Sequence, residues 1–349
     1  MDELFDLNKY LIPIWEGDTV YDESVMVIED KDGFIPLQSL AYEALSILSV
    51  KNAELTKSYN EGVDYALKDG KLEILNNSSI YHMSYDEYYP KEDLAGKCFG
   101  TDNGFTTWQE EGFLHKRQIA VTYTHKPNDI YQPIRKNRKT DILSRLNNKE
   151  NLKFLFYGDS ITFGWNCSKL ADLSPNLPSW GELTVKGLSA KFGYNDTSIE
   201  YINTSVSGTS VNWGLENVKQ RVCEYNPDMV FIAFGMNNPK TDPDIFKDTL
   251  EKMITKIRNT SPLCNIGLVA TTLPNPEIVS TRGHRHLYLP LLWQIAENFD
   301  NIVVCDMTTL HTKLLAKKPY FHMTGNNVNH PNDFLMRQYV AMALVALIH

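Results

Sequence analysis

A serine and a histidine in this sequence stand where they could carry out acyl transfer together. Ser160 follows the hydrophobic run of residues 152–157 in NLKFLFYGDSITFGW, and His330 lies in NNVNHPND, ahead of the last predicted helix. Acyl transfer at a serine needs a nucleophile, a base within hydrogen-bond reach and donors aimed at the developing oxyanion. Ser160 is a candidate nucleophile and His330 a candidate base. Ser160 could also be a helix N-cap, because serine and aspartate are common starts for a helix.

Two further residues could supply the oxyanion donors. Gly208 in NTSVSGTS has no side chain, so a backbone N–H there could approach a bound oxygen closely. Asn237 in FGMNN carries a side-chain amide that can donate a hydrogen bond. Each of the two follows a predicted strand. The glycine could also serve a turn, and the turn and donor roles are compatible.

From residue 151 onward, short hydrophobic runs alternate with helical segments. The runs predict buried strands at 152–157, 199–203, 229–234, 266–270 and 302–305. Helices are predicted at 180–192, 212–224, 244–259, 287–298 and 334–348. This alternation predicts an α/β fold, a parallel sheet with helices on both faces, and a ligand site at the carboxyl ends of the strands.

Residues 1–125 show a different pattern, of short strands separated by turns. YALKDGKLEIL is typical of a hairpin that turns at Asp69-Gly70, and KRQIAVTYTH alternates as a strand does. This pattern predicts a β-sandwich (jelly-roll-like) accessory domain at 1–125. Residues 126–150, with two prolines and a basic cluster, are predicted to be a solvated linker. Residues 151–349 would then form the catalytic domain.

The composition excludes several classes of function. The chain has 349 residues, of which 42% are hydrophobic and 22% charged, and it lacks an apolar stretch of the roughly 20 residues that a membrane helix needs. Residues 1–125 hold 10 basic against 23 acidic residues, which disfavours nucleic-acid binding. The acidic start lacks the features of a signal peptide. Because the five cysteines are dispersed, free thiols and a cytoplasmic location are predicted.

Four motifs after residue 151 resemble those of the SGNH/GDSL hydrolases. GDSIT is similar to the nucleophile motif, SG to the glycine motif, GMNN to Gly-x-Asn-Asp, and NVNHP to Asp-x-x-His-Pro. The resemblance implies a flavodoxin-like three-layer α/β/α fold with Ser160 as nucleophile and His330 as general base. It also implies an oxyanion hole formed by the N–H groups of Ser160 and Gly208 and by Asn237. The two-domain layout resembles that of the family 2 carbohydrate esterases. No cofactor and no metal are implied.

The sequence departs from the family at Asn327, three residues before His330, where an aspartate is usual. Such an aspartate accepts the Nδ1–H and stabilises the imidazolium, whereas an asparagine carbonyl can hold the tautomer but offers no charge. Asn327 is therefore the candidate catalytic partner of His330. Asp333 and Asp306 are other possible acids, although neither has the family's spacing. We expect Asn327→Asp to bring a modest gain or no change if another group orients His330.

Two further groups of residues allow both a functional and a structural interpretation. His284 and His286 in RGHRH could bind a metal, but their spacing does not suit one helix face, and a loop that lines the cleft is the simpler interpretation. Trp165, Trp180 and Trp213 fall near the predicted cleft and could stack on sugar rings, or they could be ordinary packing residues.

The sequence thus predicts a serine esterase that removes small acyl groups, chiefly acetyl, from a carbohydrate. Lipase-like or thioesterase activity on longer acyl chains is one alternative. A non-catalytic carbohydrate-binding protein, suggested by the asparagine before the histidine, is the other. The expected partner is a small-molecule or oligosaccharide ester, with no nucleic acid and no membrane involved. The sequence does not indicate the oligomeric state.

Overall fold

The computed structural model describes residues 4–94, 96–195 and 198–348, so the outer limits of the two expected domains, residues 1 and 349, lie outside the described residues. The strands are β1 (Thr19–Met26), β2 (Ala44–Asn52), β3 (Ser58–Tyr59), β4 (Tyr65–Lys68), β5 (Lys71–Ile74), β6 (Cys98–Thr101), β7 (Gly104–Thr107), β8 (Gln118–His125), β9 (Leu152–Gly158), β10 (Ile199–Asn203), β11 (Met229–Ala233), β12 (Asn265–Ala270) and β13 (Ile302–Asp306). The α-helices are α1 (Leu7–Tyr10), α2 (Tyr85–Tyr88), α3 (Asp141–Asn147), α4 (Ser160–Phe163), α5 (Trp180–Phe192), α6 (Val211–Arg221), α7 (Pro243–Thr260), α8 (Tyr288–Asn298), α9 (Met307–Leu315) and α10 (Asp333–Ile348).

The five strands after residue 151 form one parallel sheet in the order β10-β9-β11-β12-β13. Successive side chains of a strand point to opposite faces. Phe154 and Phe156 of β9 therefore pack into the hydrophobic cluster that holds residues of α5 and α10, whereas Leu155 and Tyr157 pack with α6, α7 and α8. The predicted α/β fold with helices on both faces is confirmed. Its order is the flavodoxin-like one, whose ligand site lies where the strand order reverses, here between β9 and β11.

The N-terminal part contains separate antiparallel sheets, as predicted. β1, β8, β2 and β3 form a four-stranded sheet in that order, and β4–β5 and β6–β7 are hairpins. The first hairpin turns at Asp69 and Gly70, whose φ angles are 51° and 71°. Two-residue hairpin turns need such positive φ values, which is why Asp-Gly predicts them. None of the helices in the described residues is long and apolar enough to cross a membrane.

The basic cluster within 126–150 is solvent-exposed, as its composition predicted, and the segment also makes specific contacts with the α/β part of the molecule. Arg135 pairs with Glu297, and its guanidinium lies 4.4 Å from the ring centroid of Trp293. The side chain of Asn137 accepts a hydrogen bond from Val304 N at 2.7 Å and donates one to Val304 O at 3.0 Å. Asn137 thereby satisfies backbone groups along β13, the last strand in the sheet order.

A buried ion pair joins the N-terminal sheet to the α/β part. Lys318, which follows α9, pairs with Glu23 of β1, and both side chains are completely buried. Glu23 also accepts hydrogen bonds from Tyr123 Oη at 2.7 Å and from Ala41 N at 2.9 Å, and Lys318 donates to Ser24 O at 2.9 Å. Burial lowers the pKa of Lys318, and the nearby Glu23 opposes that change. Such a pair tolerates the loss of one partner poorly.

We expect Lys318→Met to lower the free energy of unfolding by about 3–5 kcal/mol, because it leaves the Glu23 carboxylate buried without its cation. Urea unfolding measures this change. Lys317→Met is the matched control, since Lys317 is exposed and precedes Lys318 directly. The double variant Glu23→Gln/Lys318→Met should regain part of the lost stability. A single variant as stable as the wild type would contradict the structural importance of the pair.

Candidate active site

Ser160 and His330 form a direct contact at the carboxyl end of the parallel sheet. His330 Nε2 lies 2.9 Å from Ser160 Oγ, and the two residues are only 9% and 5% exposed. Ser160 is the first residue of α4 and is separated from β9 by Asp159, but it is not the helix N-cap. Asp159 holds that position, and its side chain accepts a hydrogen bond from Ile161 N at 3.0 Å. The Ser160 hydroxyl is therefore free to face the imidazole.

Close packing of the strand ends requires a glycine just before this turn. A Cβ atom on Gly158 would lie 2.4 Å from Ala233 O and 2.6 Å from Thr162 Oγ1. Only glycine fits there without displacing β11 or α4. The adjacent Asp159 is fully buried, and burial raises its pKa to about 6, opposed by the hydrogen bond from Ile161 N.

The two candidate oxyanion donors lie on neighbouring loops. Gly208 has a φ of 75°, and a Cβ atom added there would meet nothing within 4 Å, so its surroundings are open. Asn237 Nδ2 donates to Thr209 O at 3.1 Å, which ties the Asn237 loop to the Gly208 loop and leaves the second amide hydrogen. Trp165 Nε1 donates to Oγ of Ser207, the residue before Gly208.

The Asn327 side chain makes its hydrogen bonds with residues other than His330, so the prediction that Asn327 is the catalytic partner of the imidazole is wrong. Its Oδ1 accepts from Tyr88 Oη at 2.8 Å and from Asn275 Nδ2 at 3.1 Å. Its Nδ2 donates to Thr106 Oγ1 and Thr107 O, both at 2.9 Å. The residue has a left-handed φ of 65° and is fully buried. The turn thus directs this side chain toward β7 and away from the histidine.

The other acids considered from the sequence also have different partners. Asp333 accepts a hydrogen bond from Ser168 N at 2.8 Å. Asp306 caps α9 by accepting from Thr309 N at 2.9 Å. Burial raises the pKa of both carboxyl groups.

Two residues that the sequence did not single out face the Nδ1 edge of His330. Asn166 Oδ1 lies 2.7 Å from Nδ1, and the Glu110 oxygens lie 3.3 and 3.4 Å from it. Asn166 follows α4, the helix that begins at Ser160, so its closeness to the nucleophile in sequence is a signal that could have indicated it. Glu110 is separated from His330 by 220 positions and follows β7, so no local pattern indicates it. Burial acts to raise the pKa of Glu110, but hydrogen bonds from His330 and Asn326 outweigh it, and the net change lowers that pKa.

The RGHRH loop supports the Asn237 loop. Arg285 is buried and donates from Nε to Met236 O at 2.7 Å, one residue before Asn237. His284 and His286, which the sequence left open as metal ligands, are both exposed. Among the described residues, no group of three or more His, Cys, Asp or Glu side chains could hold a metal ion.

The motif positions, the Ser160–His330 contact and the strand order agree with a single family. Residues 156–337, just over half of the chain, match the GDSL-like lipase/acylhydrolase family. The chain belongs to this family. No curated protein sequence matches it.

Several solved structures are similar to this GDSL family member. A two-domain esterase (CEX) active on acetylated mannans, crystallised with mannopentaose, is 21% identical over 61% of this chain and 53% of its own, with a TM-score of 0.45. The match thus spans about half of that esterase. A catalytic mutant of Axe2, an acetylxylan esterase from Geobacillus stearothermophilus, is 20% identical over 57% of this chain and 94% of its own, with a TM-score of 0.45.

The three tryptophans of this GDSL family member have different environments. Trp180 is buried and packs edge-on against Phe156, with ring centroids 5.0 Å apart. Trp213 is partly buried, with its ring centroid 6.1 Å from that of Tyr157. Trp165 is 37% exposed, five residues after Ser160. Trp180 is thus a packing residue, and Trp165 is the tryptophan that could contact a ligand.

We now expect Asn327→Asp to lower the free energy of unfolding by about 1–3 kcal/mol. An aspartate could not donate to Thr107 O, and it would place a buried charge beside that carbonyl. The expectation from the sequence, a modest gain or no change, concerned activity, whereas this prediction concerns stability. Urea unfolding checks the prediction. Asn103→Asp, a change at an exposed position, is the control and should unfold like the wild type. An equally stable Asn327→Asp variant would contradict the assigned hydrogen bonds.

Proposed function

We propose that this protein is a serine esterase of the SGNH type, with Ser160 as nucleophile and His330 as general base. The observation that carries the proposal is the 2.9 Å contact between His330 Nε2 and Ser160 Oγ. A nucleophile and a base within hydrogen-bond reach, with the base held by a further group, are the signature of an activated serine. Asn166, at 2.7 Å from Nδ1, is such a further group.

In the proposed reaction, Ser160 Oγ attacks the ester carbonyl while His330 Nε2 takes the hydroxyl proton. The oxyanion of the tetrahedral intermediate accepts hydrogen bonds from the N–H groups of Ser160 and Gly208 and from Asn237 Nδ2. His330 then gives its proton to the leaving alcohol, and an acyl-enzyme forms. Water attacks the acyl-enzyme, His330 takes a proton from that water, and the carboxylic acid leaves as Ser160 regains its proton. No metal or redox cofactor takes part in these steps.

We propose that the substrate is a small acyl ester, chiefly an acetyl ester, of a carbohydrate. The support is the aromatic pair Phe163 and Trp165, which are 42% and 37% exposed and directly follow the nucleophile turn. Their ring centroids are 6.1 Å apart. Partly exposed aromatic rings beside a nucleophile suit stacking against the apolar face of a sugar ring. Longer acyl chains and binding without turnover are the alternative outcomes of the tests below.

We expect Ser160→Ala to abolish acetate release from acetylated mono- and oligosaccharides, because the attacking oxygen is lost. Acetate release by the wild type and the variant is the measurement, alongside 4-nitrophenyl esters of increasing chain length. Ser280→Ala, a change at an exposed serine, is the matched control and should retain full activity. Faster turnover of long-chain esters than of acetates would favour the lipase-like alternative. No turnover of any ester by the wild type would favour a binding protein.

We expect Trp165→Ala to raise the KM for acetylated oligosaccharides by about fivefold, since a stacking contact contributes about 1 kcal/mol. The kcat for 4-nitrophenyl acetate, which has no sugar ring, should stay within about twofold of the wild type. Ser207→Ala is the control, because it removes the hydrogen-bond partner of the indole but keeps the ring. Equal changes in KM for the two variants would indicate a loop effect and contradict the stacking role.

A further inference from the structure

We propose that Glu110, contributed by the N-terminal part of the chain, and Asn166 share the task that one aspartate performs in a serine–histidine–aspartate triad. In this inference, which rests on the proposed function, Asn166 fixes the tautomer of His330 and Glu110 supplies the negative charge that stabilises the imidazolium. Both act through His330 and are positioning residues. An aspartate three residues before the histidine would combine these roles, but that position holds Asn327, whose side chain makes its hydrogen bonds with other residues.

Nδ1 of His330 can carry a single hydrogen, and whether it does so defines the tautomer. Asn166 Oδ1, at 2.7 Å, is the nearest acceptor for that hydrogen. With the hydrogen on Nδ1, Nε2 presents a lone pair to the Ser160 hydroxyl, as a general base requires. Asn166 is itself fixed, because its Nδ2 donates to Gly325 O at 3.2 Å. This bond determines which end of the amide faces the histidine.

Glu110 lies close enough to Nδ1 of His330 to stabilise a positive charge on the imidazole. Its oxygens lie 3.3 and 3.4 Å from Nδ1, and its side chain is 27% exposed, so water screens the interaction only in part. Asn326 Nδ2 donates to Glu110 Oε1 at 2.9 Å and holds the carboxylate in place. Burial acts to raise the pKa of Glu110, but the hydrogen bond and the charge of His330, with hydrogen bonds from Asn326 and Asn166, lower it overall. A proton transferred to the imidazole would therefore meet a fixed negative charge.

Glu110 reaches this position because the Asn327 side chain holds the preceding strand. Asn327 Nδ2 donates to Thr106 Oγ1 and Thr107 O at the end of β7, three residues before Glu110. Asn326, its neighbour in sequence, then contacts Glu110 directly. The two adjacent asparagines thus connect the loop that carries His330 to the segment that carries the carboxylate.

The charged and titratable groups around His330 affect the pH dependence of kcat/KM. Glu110 faces its Nδ1 edge, and the buried Asp159 at the start of α4 also interacts electrostatically with it. Arg285, behind the Asn237 loop, interacts with Asp159. A substitution of Glu110 alone leaves Asp159 and Arg285 in both proteins. A difference between the wild type and the variant in the acidic limb of kcat/KM is therefore attributable to the loss of Glu110.

The test compares Glu110→Gln with Glu111→Gln, a change of the same charge at the exposed neighbouring position. Glutamine retains an acceptor for Asn326, so the variant should fold and unfold in urea near the wild-type midpoint. We expect its kcat for 4-nitrophenyl acetate to fall by about 10- to 100-fold with KM little changed, a loss no larger than the lower end of general acid–base effects, because His330 and Asn166 remain. The acidic limb of kcat/KM should lie at lower pH in this variant than in the wild type, because the protonated imidazole loses its nearest negative charge. Glu111→Gln should match the wild type in every measurement.

Labelling of Ser160 by a fluorophosphonate distinguishes failure of this inference from failure of the proposed function. A wild type that neither reacts with the probe nor turns over esters would overturn the proposed function, and this inference with it. If the wild type reacts and Glu110→Gln reacts as fast, with an unshifted pH profile, only the role of Glu110 is overturned. A loss of activity with a lowered urea midpoint, a raised KM and an unshifted profile would likewise overturn the charge role, since it would show a structural effect.

Discussion

The hydrogen bonds of the buried Asn327 side chain are the constraint on which the arrangement of the candidate site depends. Its amide oxygen accepts twice and its amide nitrogen donates twice, so each polar atom of the group is satisfied. A buried polar group of this kind is costly to leave unpaired. The partners come from both parts of the molecule: Tyr88 and Thr106 from the N-terminal part and Asn275 from the α/β part. The loop before His330 is therefore shaped by residues that precede it by more than two hundred positions.

The N-terminal part and the α/β part are also joined by a shared hydrophobic cluster and a buried ion pair. Val25 and Val121 of the N-terminal sheet belong to the same hydrophobic cluster as Phe154 of β9. The Glu23–Lys318 pair lies in this contact as well, fully buried. A core shared in this way resembles the interior of one unit more than an exposed surface between two independent modules. The domain limits at residues 125 and 151 stay a prediction, and the contacts across them explain why the N-terminal part can contribute to the site.

The sequence predicted those features that local patterns determine. Four strands of the parallel sheet, β9, β11, β12 and β13, are almost entirely buried, so each is a short apolar run, whereas the edge strand β10 is only partly buried. Three of the four motifs lie at strand ends, and the fourth precedes α10. The partners of His330 at Nδ1 were not predictable in the same way. Glu110 lies on an N-terminal segment that reaches the site only through folding, and nothing in its neighbourhood distinguishes it from Glu111. The contacts of the basic segment were not predictable for a similar reason, because Arg135 meets Glu297 and Trp293 only in the folded chain.

An asparagine at position 327 and a carboxylate at position 110 depend on each other physically. Thr107 O needs a donor, which an aspartate at 327 could not provide, so this architecture disfavours the acid at the position where the family usually has it. The charge that favours an imidazolium must then come from another segment, and the segment that Asn327 holds in place is the one that carries Glu110. His330 is therefore oriented by two linked features. Asn327 replaces the aspartate of the family's motif, and the N-terminal part that Asn327 holds in place supplies Glu110.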